Sequence, residues 1–242
     1  MIYLFGMVLR DEILSKLYNY YSSVLIALSM LAFCRRFFSV RAGLWGAFVF
    51  YSIFHVVVCA WQGGTEMFLT LFTFLSLYLV LLREGGEKKY LALSGLFCGM
   101  AMALKYTGVY AIVINLAILL YKHKKATLQY VKEAAWLCAV SFVVFSPWLV
   151  KNYMYVGNPV YPFATGIFGL DKNSHEAGMK NFIAETQQKP PFSLKEWFLL
   201  PFKTNTGKIP NNESFTPVFL ALLPFAWLLV KNKSEVYKLL YL

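Results

Sequence analysis

Residues 90–121 read YLALSGLFCGMAMALKYTGVYAIVINLAILLY, 32 residues with a single charge, Lys105, near the middle. One straight helix of that length would reach about 48 Å at 1.5 Å per residue. The hydrocarbon core of a bilayer is only about 30 Å thick. The stretch must therefore break. At Lys105-Tyr106-Thr107-Gly108 a charge, two polar groups and a glycine coincide, so the break is placed there. Two short helices then replace one long one, and this sets the parity of every segment around them.

The rest of the chain justifies reading residues 90–121 against a bilayer. Of the 242 residues, 59% are hydrophobic and 14% charged. A soluble domain has about 45–50% apolar and about 25% charged residues. The aromatic share, 18%, suits a membrane protein, because Trp and Tyr collect at the interfaces. A formal charge of +11 would fit nucleic acid. The basic residues, however, fall in short clusters between apolar segments and form no basic helix or aromatic–basic ribbon. Cys34, Cys59, Cys98 and Cys138 all lie inside apolar stretches, without metal-ligand spacing, and read as packing residues. No signal-peptide pattern opens the chain.

Working outward, uncharged or nearly uncharged segments occupy residues 17–34, 42–65, 67–82, 134–150 and 214–230. With residues 90–121 crossing twice or re-entering, these predict an all-α, polytopic transmembrane helix bundle of about seven segments, some short or broken. Residues 1–242 read as a single membrane domain, with 151–213 as one long extracytoplasmic loop. Charge supports the layout. Clusters at 35–41, 83–89, 122–133 and 231–238 hold thirteen of the 23 Lys and Arg, and alternation puts all four on the cytoplasmic side. Within the long loop, FSLKEWFLLPF (192–202) mixes charge with Trp and Phe. It reads as an interfacial helix or a cap on the loop.

Charges in or beside lipid are costly, which makes them functional candidates. Glu66 follows WQGGT at the outer start of a helix and can serve as a base, position an acceptor or hold a cation. The alternative is a solvated carboxylate favoured by the helix dipole. Lys105 at the break can hold a phosphate as a point charge, with Tyr106 and Thr107 beside it. The alternative is a snorkelling lysine. Lys151 and Asn152 end the next outward segment at the same level, and two lysines at one outer face suit an anionic head group. The alternative is a simple interface anchor. The turn Gly157-Asn158-Pro159-Val160-Tyr161-Pro162 builds a stiff lip from which Asn158 and Tyr161 can reach a substrate. His175-Glu176 is a further candidate, with a solvated loop as the alternative. His55, mid-segment, reads as a hydrogen-bonded packing residue.

Three of these stretches together are similar to one known group. PWLVKNYMYVGNPVYPF (147–163) resembles the PW–(R/K)N–GNPxYPF signature of bacterial GT-C glycosyltransferases, the group of the protein O-mannosyltransferases and the aminoarabinose lipid A transferases. GGTEMFLTLFTFLSLYLVLL followed by YLALSGLFCGMAMALKYTGV resembles the same group, with Gly95, Gly99, Ala103, Lys105, Tyr106 and Thr107 in order. LLPFKTN and FTPVFLALLPF resemble its loop exit, with Thr216 where the group often has Gly. The resemblance covers about residues 17–230. It implies transfer of a sugar from a polyprenyl-phosphate donor to a glycan, lipid or protein acceptor at the outer face of a bacterial cytoplasmic membrane. Lys105 and Lys151 would serve the departing phosphate and Glu66 the acceptor or sugar. Membrane lipid is implied as a partner and nucleic acid is not. No cofactor is assigned, and a divalent metal is compatible with the resemblance. Two departures accompany it. The group's first outer loop, with its principal Asp, has no counterpart here, since Asp11-Glu12 does not read as the catalytic pair. The chain thus reads as a fragment of a larger module. Glu66 also stands where Asp is commoner. Two other readings of the residues are a transporter or flippase for a lipid-linked glycan, and an inactive fragment.

Overall fold

The computed structural model describes residues 2–62, 64–83, 87–123 and 127–168, and side chains from Gly6 onward except at 165 and 166. The described residues are helical, with no strand. The elements are α1 (Ile2–Leu9), α2 (Glu12–Phe37), α3 (Val40–Ser52), α4 (Phe54–Trp61), α5 (Glu66–Leu82), α6 (Lys88–Leu104), α7 (Val109–His123), α8 (Leu128–Val156) and the short α9 (Thr165–Phe168). A single 3₁₀ turn, Tyr106–Gly108, joins α6 to α7. Residues 192–202, the segment 214–230 and His175 lie outside the described residues.

Helix α2 starts where its cap dictates. The Asp11 carboxylate accepts from the Leu14 backbone N–H at 2.9 Å, and Glu12 opens the first turn. This gives the Asp11-Glu12 pair a capping role. Ser15, Asn19, Ser22 and Ser23 are buried, whereas Tyr21, Leu25 and Leu28 are exposed. Polar groups face in and apolar groups face out, the reverse of a helix in water. Helices α2 and α8 are each long and apolar enough to cross a membrane, and α3 with α4 makes a third if that bent pair is one span.

Asn19, early in α2, donates to the Gln62 carbonyl at 2.8 Å, just before α5. Tyr78, late in α5, donates to the Ala32 carbonyl at 3.3 Å, late in α2. Helices α2 and α5 therefore run the same way. Helix α7 returns to the end of α5, where the Lys122 ammonium donates to the carbonyls of Val80, Leu81 and Arg83 at 2.9, 3.1 and 3.1 Å. Val80 and Leu81 belong to the last turn of α5 and Arg83 caps it, where carbonyls lack intrahelical partners. Helix α8 lies against α6, backbone to backbone. A Cβ on Gly99 would stand 2.5 Å from the Ser141 carbonyl oxygen, so only glycine permits this approach.

The core has two apolar clusters with a polar layer between them. Ile26, Met67, Leu71, Phe72 and Ala101 form one. Val80, Leu91, Ile118, Leu119 and Leu137 form the other. Between them the Asn115 amide donates to Ser76 Oγ (3.1 Å), Ser94 Oγ (3.3 Å) and Cys98 Sγ (3.2 Å). The layer ties α5, α6 and α7 in register.

Two boundaries differ from the sequence reading. Residues 42–65, expected as one segment, break at Ile53, and α3 and α4 meet at a 73° bend. Ser52 Oγ donates to the Phe48 carbonyl at 2.7 Å, a bond that bends helices, and the Tyr51 hydroxyl lies 3.1 Å from Ser23 Oγ on α2. Helix α8 also continues through Lys151 and Asn152 to Val156, so the polar segment opens at Gly157 rather than Lys151. Pro147 lies inside this helix without ending it.

Candidate functional site

The break between α6 and α7 falls at Lys105, in extended conformation at φ −155°, ψ 138°. The Gly108 N–H donates back to the Lys105 carbonyl at 2.8 Å and closes the turn. This directs the Lys105 side chain toward α5. Its Nζ lies 3.5 Å from Glu66 Oε1, across a sequence separation of 39 residues. The two side chains are 51% and 47% exposed. An ion pair this open contributes only about 0–1 kcal/mol to stability. It can separate to admit a ligand at little cost. Asn19 steadies the segment before Glu66, since its amide bonds the Cys59 and Gln62 carbonyls at the end of α4. Cys59 Sγ in turn lies 3.4 Å from His55 Nε2, so His55 takes part in local packing.

The lip begins at Gly157, which ends α8 with φ +67° and donates its N–H to the Tyr153 carbonyl at 2.9 Å. That left-handed conformation suits glycine. Asn158 is fully buried. Its Oδ1 accepts from the Val160 N–H at 3.0 Å and its amide donates to the Phe163 carbonyl at 2.7 Å. Both ends of the side chain are thus used to fold the lip. The Tyr161–Pro162 bond is cis.

Tyr106 joins the break to the lip. Its hydroxyl donates to the Tyr161 carbonyl at 2.7 Å and accepts from the Asn152 amide at 3.1 Å. Asn152 also donates to the Pro159 carbonyl at 3.3 Å. The Tyr106 ring meets Phe163 edge-on at 5.2 Å between centroids. Tyr106, Asn152 and Asn158 therefore hold the frame, and Tyr161 supplies a backbone carbonyl to it. Removing the hydroxyl by Tyr106→Phe leaves the Tyr161 carbonyl without its donor. It is expected to cost about 1–3 kcal/mol, read as a lowered unfolding midpoint in detergent.

Lys151 takes another role. Its Nζ sits 4.2 Å from the centroid of the Trp148 ring, a cation–π contact one turn below Asn152. Because Asn152 bonds Tyr106, Lys151 and Lys105 stand at the same end of the bundle. Beneath them runs an apolar groove of about 250 Å³, lined by Phe72 of α5, Met100, Ala103 and Leu104 of α6, and Val144, Pro147 and Trp148 of α8. Its upper residues, Leu104 and Trp148, carry the chain directly to Lys105 and Lys151. Among the described residues no three His, Cys, Asp or Glu side chains gather as a metal site.

A family model for a domain of unknown function (DUF8201) matches residues 11–242. The chain belongs to that family. No curated protein and no solved structure matches it. The DUF8201 match opens at Asp11, the cap of α2.

The opposite end of this DUF8201 chain holds a cluster that the sequence did not reveal. Glu133 of α8 accepts from Arg83, from Gln129 Nε2 at 3.0 Å, and contacts His123 Nε2 at 2.8 Å. The Arg83 and Glu133 side chains are only 7% and 11% exposed. Their separation along the chain, 50 residues, hides the pair from any local pattern. Asn19 and Asn115 were also overlooked. The available signal was an uncharged amide inside an otherwise apolar stretch, which is costly unless bonded.

Proposed function

We propose that this chain is the membrane-embedded part of a glycosyltransferase that moves a sugar from a polyprenyl-phosphate donor to an acceptor. The observation that supports it best is the meeting of Glu66 and Lys105 above an apolar groove, with Lys151 at the same end. A carboxylate, an ammonium and an apolar channel are the groups such a transfer requires. The isoprenoid chain lies in the groove and its phosphate at the lysines. The acceptor hydroxyl oxygen forms a bond to the anomeric carbon as the bond to the lipid phosphate breaks. Glu66 takes the hydroxyl proton, and Lys105 stabilises the charge that develops on the departing phosphate.

In this reading α2, the bent pair α3–α4, α5, α6, α7 and α8 cross in turn, and residues 214–230 add a seventh segment. Arg35, Arg36, Arg83 and Lys122 lie at one end and mark the cytoplasmic side. The lip then faces outward. Helix α7, at 15 residues, spans about 22 Å. The bilayer thins around it.

Transfer from a labelled polyprenyl-phosphate sugar is measured in membranes that contain the chain. Lys105→Met is expected to lower the rate about 100-fold, within the range for removing one stabilising donor. An unchanged rate would remove Lys105 from the mechanism. Labelled carrier lipid that crosses the membrane without any glycosylated product would favour a transporter instead.

A further inference from the structure

Helix α2 carries a second feature that this chemistry does not use. Leu28, Leu31, Ala32, Arg35 and Arg36 recur at helical spacing and share one face. With Tyr78 of α5 they line a cleft of about 480 Å³ at the basic end, away from Glu66. Leu28 is 54% exposed and Ala32 is exposed, so the cleft opens on the outer surface of the bundle. The hydrogen bond from Tyr78 to the Ala32 carbonyl fixes its wall. Two exposed arginines close it at the last turn of α2.

We propose that this cleft binds one anionic diacyl phospholipid. An acyl chain lies along Leu28 and Leu31 against Tyr78, and the headgroup phosphate meets Arg35 and Arg36. Guanidinium groups match phosphate oxygens in pairs, and basic pockets between helices on the cytoplasmic side suit such headgroups. A free phosphate would leave the apolar length of the cleft in water. A second copy of the chain, packed face to face on this stripe, would bring four arginines together and repel. A lipid satisfies both parts of the cleft, and α2 is long and apolar enough to stand in a bilayer.

The full chain in detergent is offered phosphatidylglycerol and phosphatidylcholine in equal amounts, and the bound lipid is counted by native mass spectrometry. Phosphatidylglycerol is expected to be retained roughly ten- to thirty-fold over phosphatidylcholine, as two arginines near the headgroup imply. The double change Arg35→Gln with Arg36→Gln should abolish the preference. Ala32→Trp keeps both arginines but fills the cleft, and should also release the lipid. Equal retention of the two lipids by the unaltered chain would overturn the proposal. So would a preference that survives both variants. Displacement by glycerol phosphate as effective as by the whole lipid would overturn the role of the acyl chain. A dimer that forms through this stripe and excludes lipid would overturn the proposed occupant.

Discussion

Gly108→Ala is expected to destabilise the chain by more than about 3 kcal/mol and to displace Lys105. A Cβ at position 108 would overlap the carbonyl of Ala101 and stand 2.5 Å from the Met102 nitrogen. The three nearest atoms are all backbone, in the final turn of α6, and cannot swing aside as a side chain could. Overpacking into a yielding core costs about 1–3 kcal/mol, and more where nothing yields. The only relief is to open the turn at Tyr106–Gly108. That movement would carry Lys105 away from Glu66 and loosen Tyr106 from the lip. A lower unfolding midpoint in detergent checks the first part of the prediction. Faster amide exchange at Lys105 and Tyr106 checks the second. Wild-type stability in the alanine variant would show that α6 and α7 do not approach so closely.

Glu133→Ala is expected to cost about 3–5 kcal/mol, the range for removing one partner of a buried ion pair. The carboxylate accepts from Arg83 and Gln129 and contacts His123. Without it the Arg83 guanidinium, 7% exposed, remains among helices without its counter-charge. Arg83 Nε already has no hydrogen-bond partner among the described residues. The double change Arg83→Met with Glu133→Leu should restore much of the loss, because apolar replacement of a buried pair is often neutral. Chemical unfolding of the three forms decides it. A loss below about 1 kcal/mol for Glu133→Ala would mean that the cluster is solvated and behaves as a surface pair. Because the cluster lies at the end opposite Glu66 and Lys105, its loss should act through stability rather than through the candidate site.

The candidate site residues read from the sequence divide into two kinds once folded. Glu66 and Lys105 meet and stay half exposed. Tyr106, Asn152 and Asn158 turn their polar atoms toward the chain itself, where they hold the lip. Lys151 rests on Trp148 at the same end. A motif that places polar residues near a site does not say which of them face the ligand. That depends on which backbone carbonyls the fold brings within reach.

The break at Lys105 was legible from the chain alone, because length against bilayer thickness leaves no alternative and glycine marks the place. The clustering of basic residues between apolar segments was legible for a similar reason. Composition and spacing act locally, and lipid penalises charge wherever it falls. The bend at Ile53 was not legible. No charge, glycine or proline marks it, and Ser52 bends the helix while Tyr51 ties it to Ser23, 28 residues away. The ion pairs Glu66–Lys105 and Arg83–Glu133 likewise join residues 39 and 50 positions apart. Such contacts exist only after the helices have packed, since no single helix can bring its own distant partner within hydrogen-bonding range.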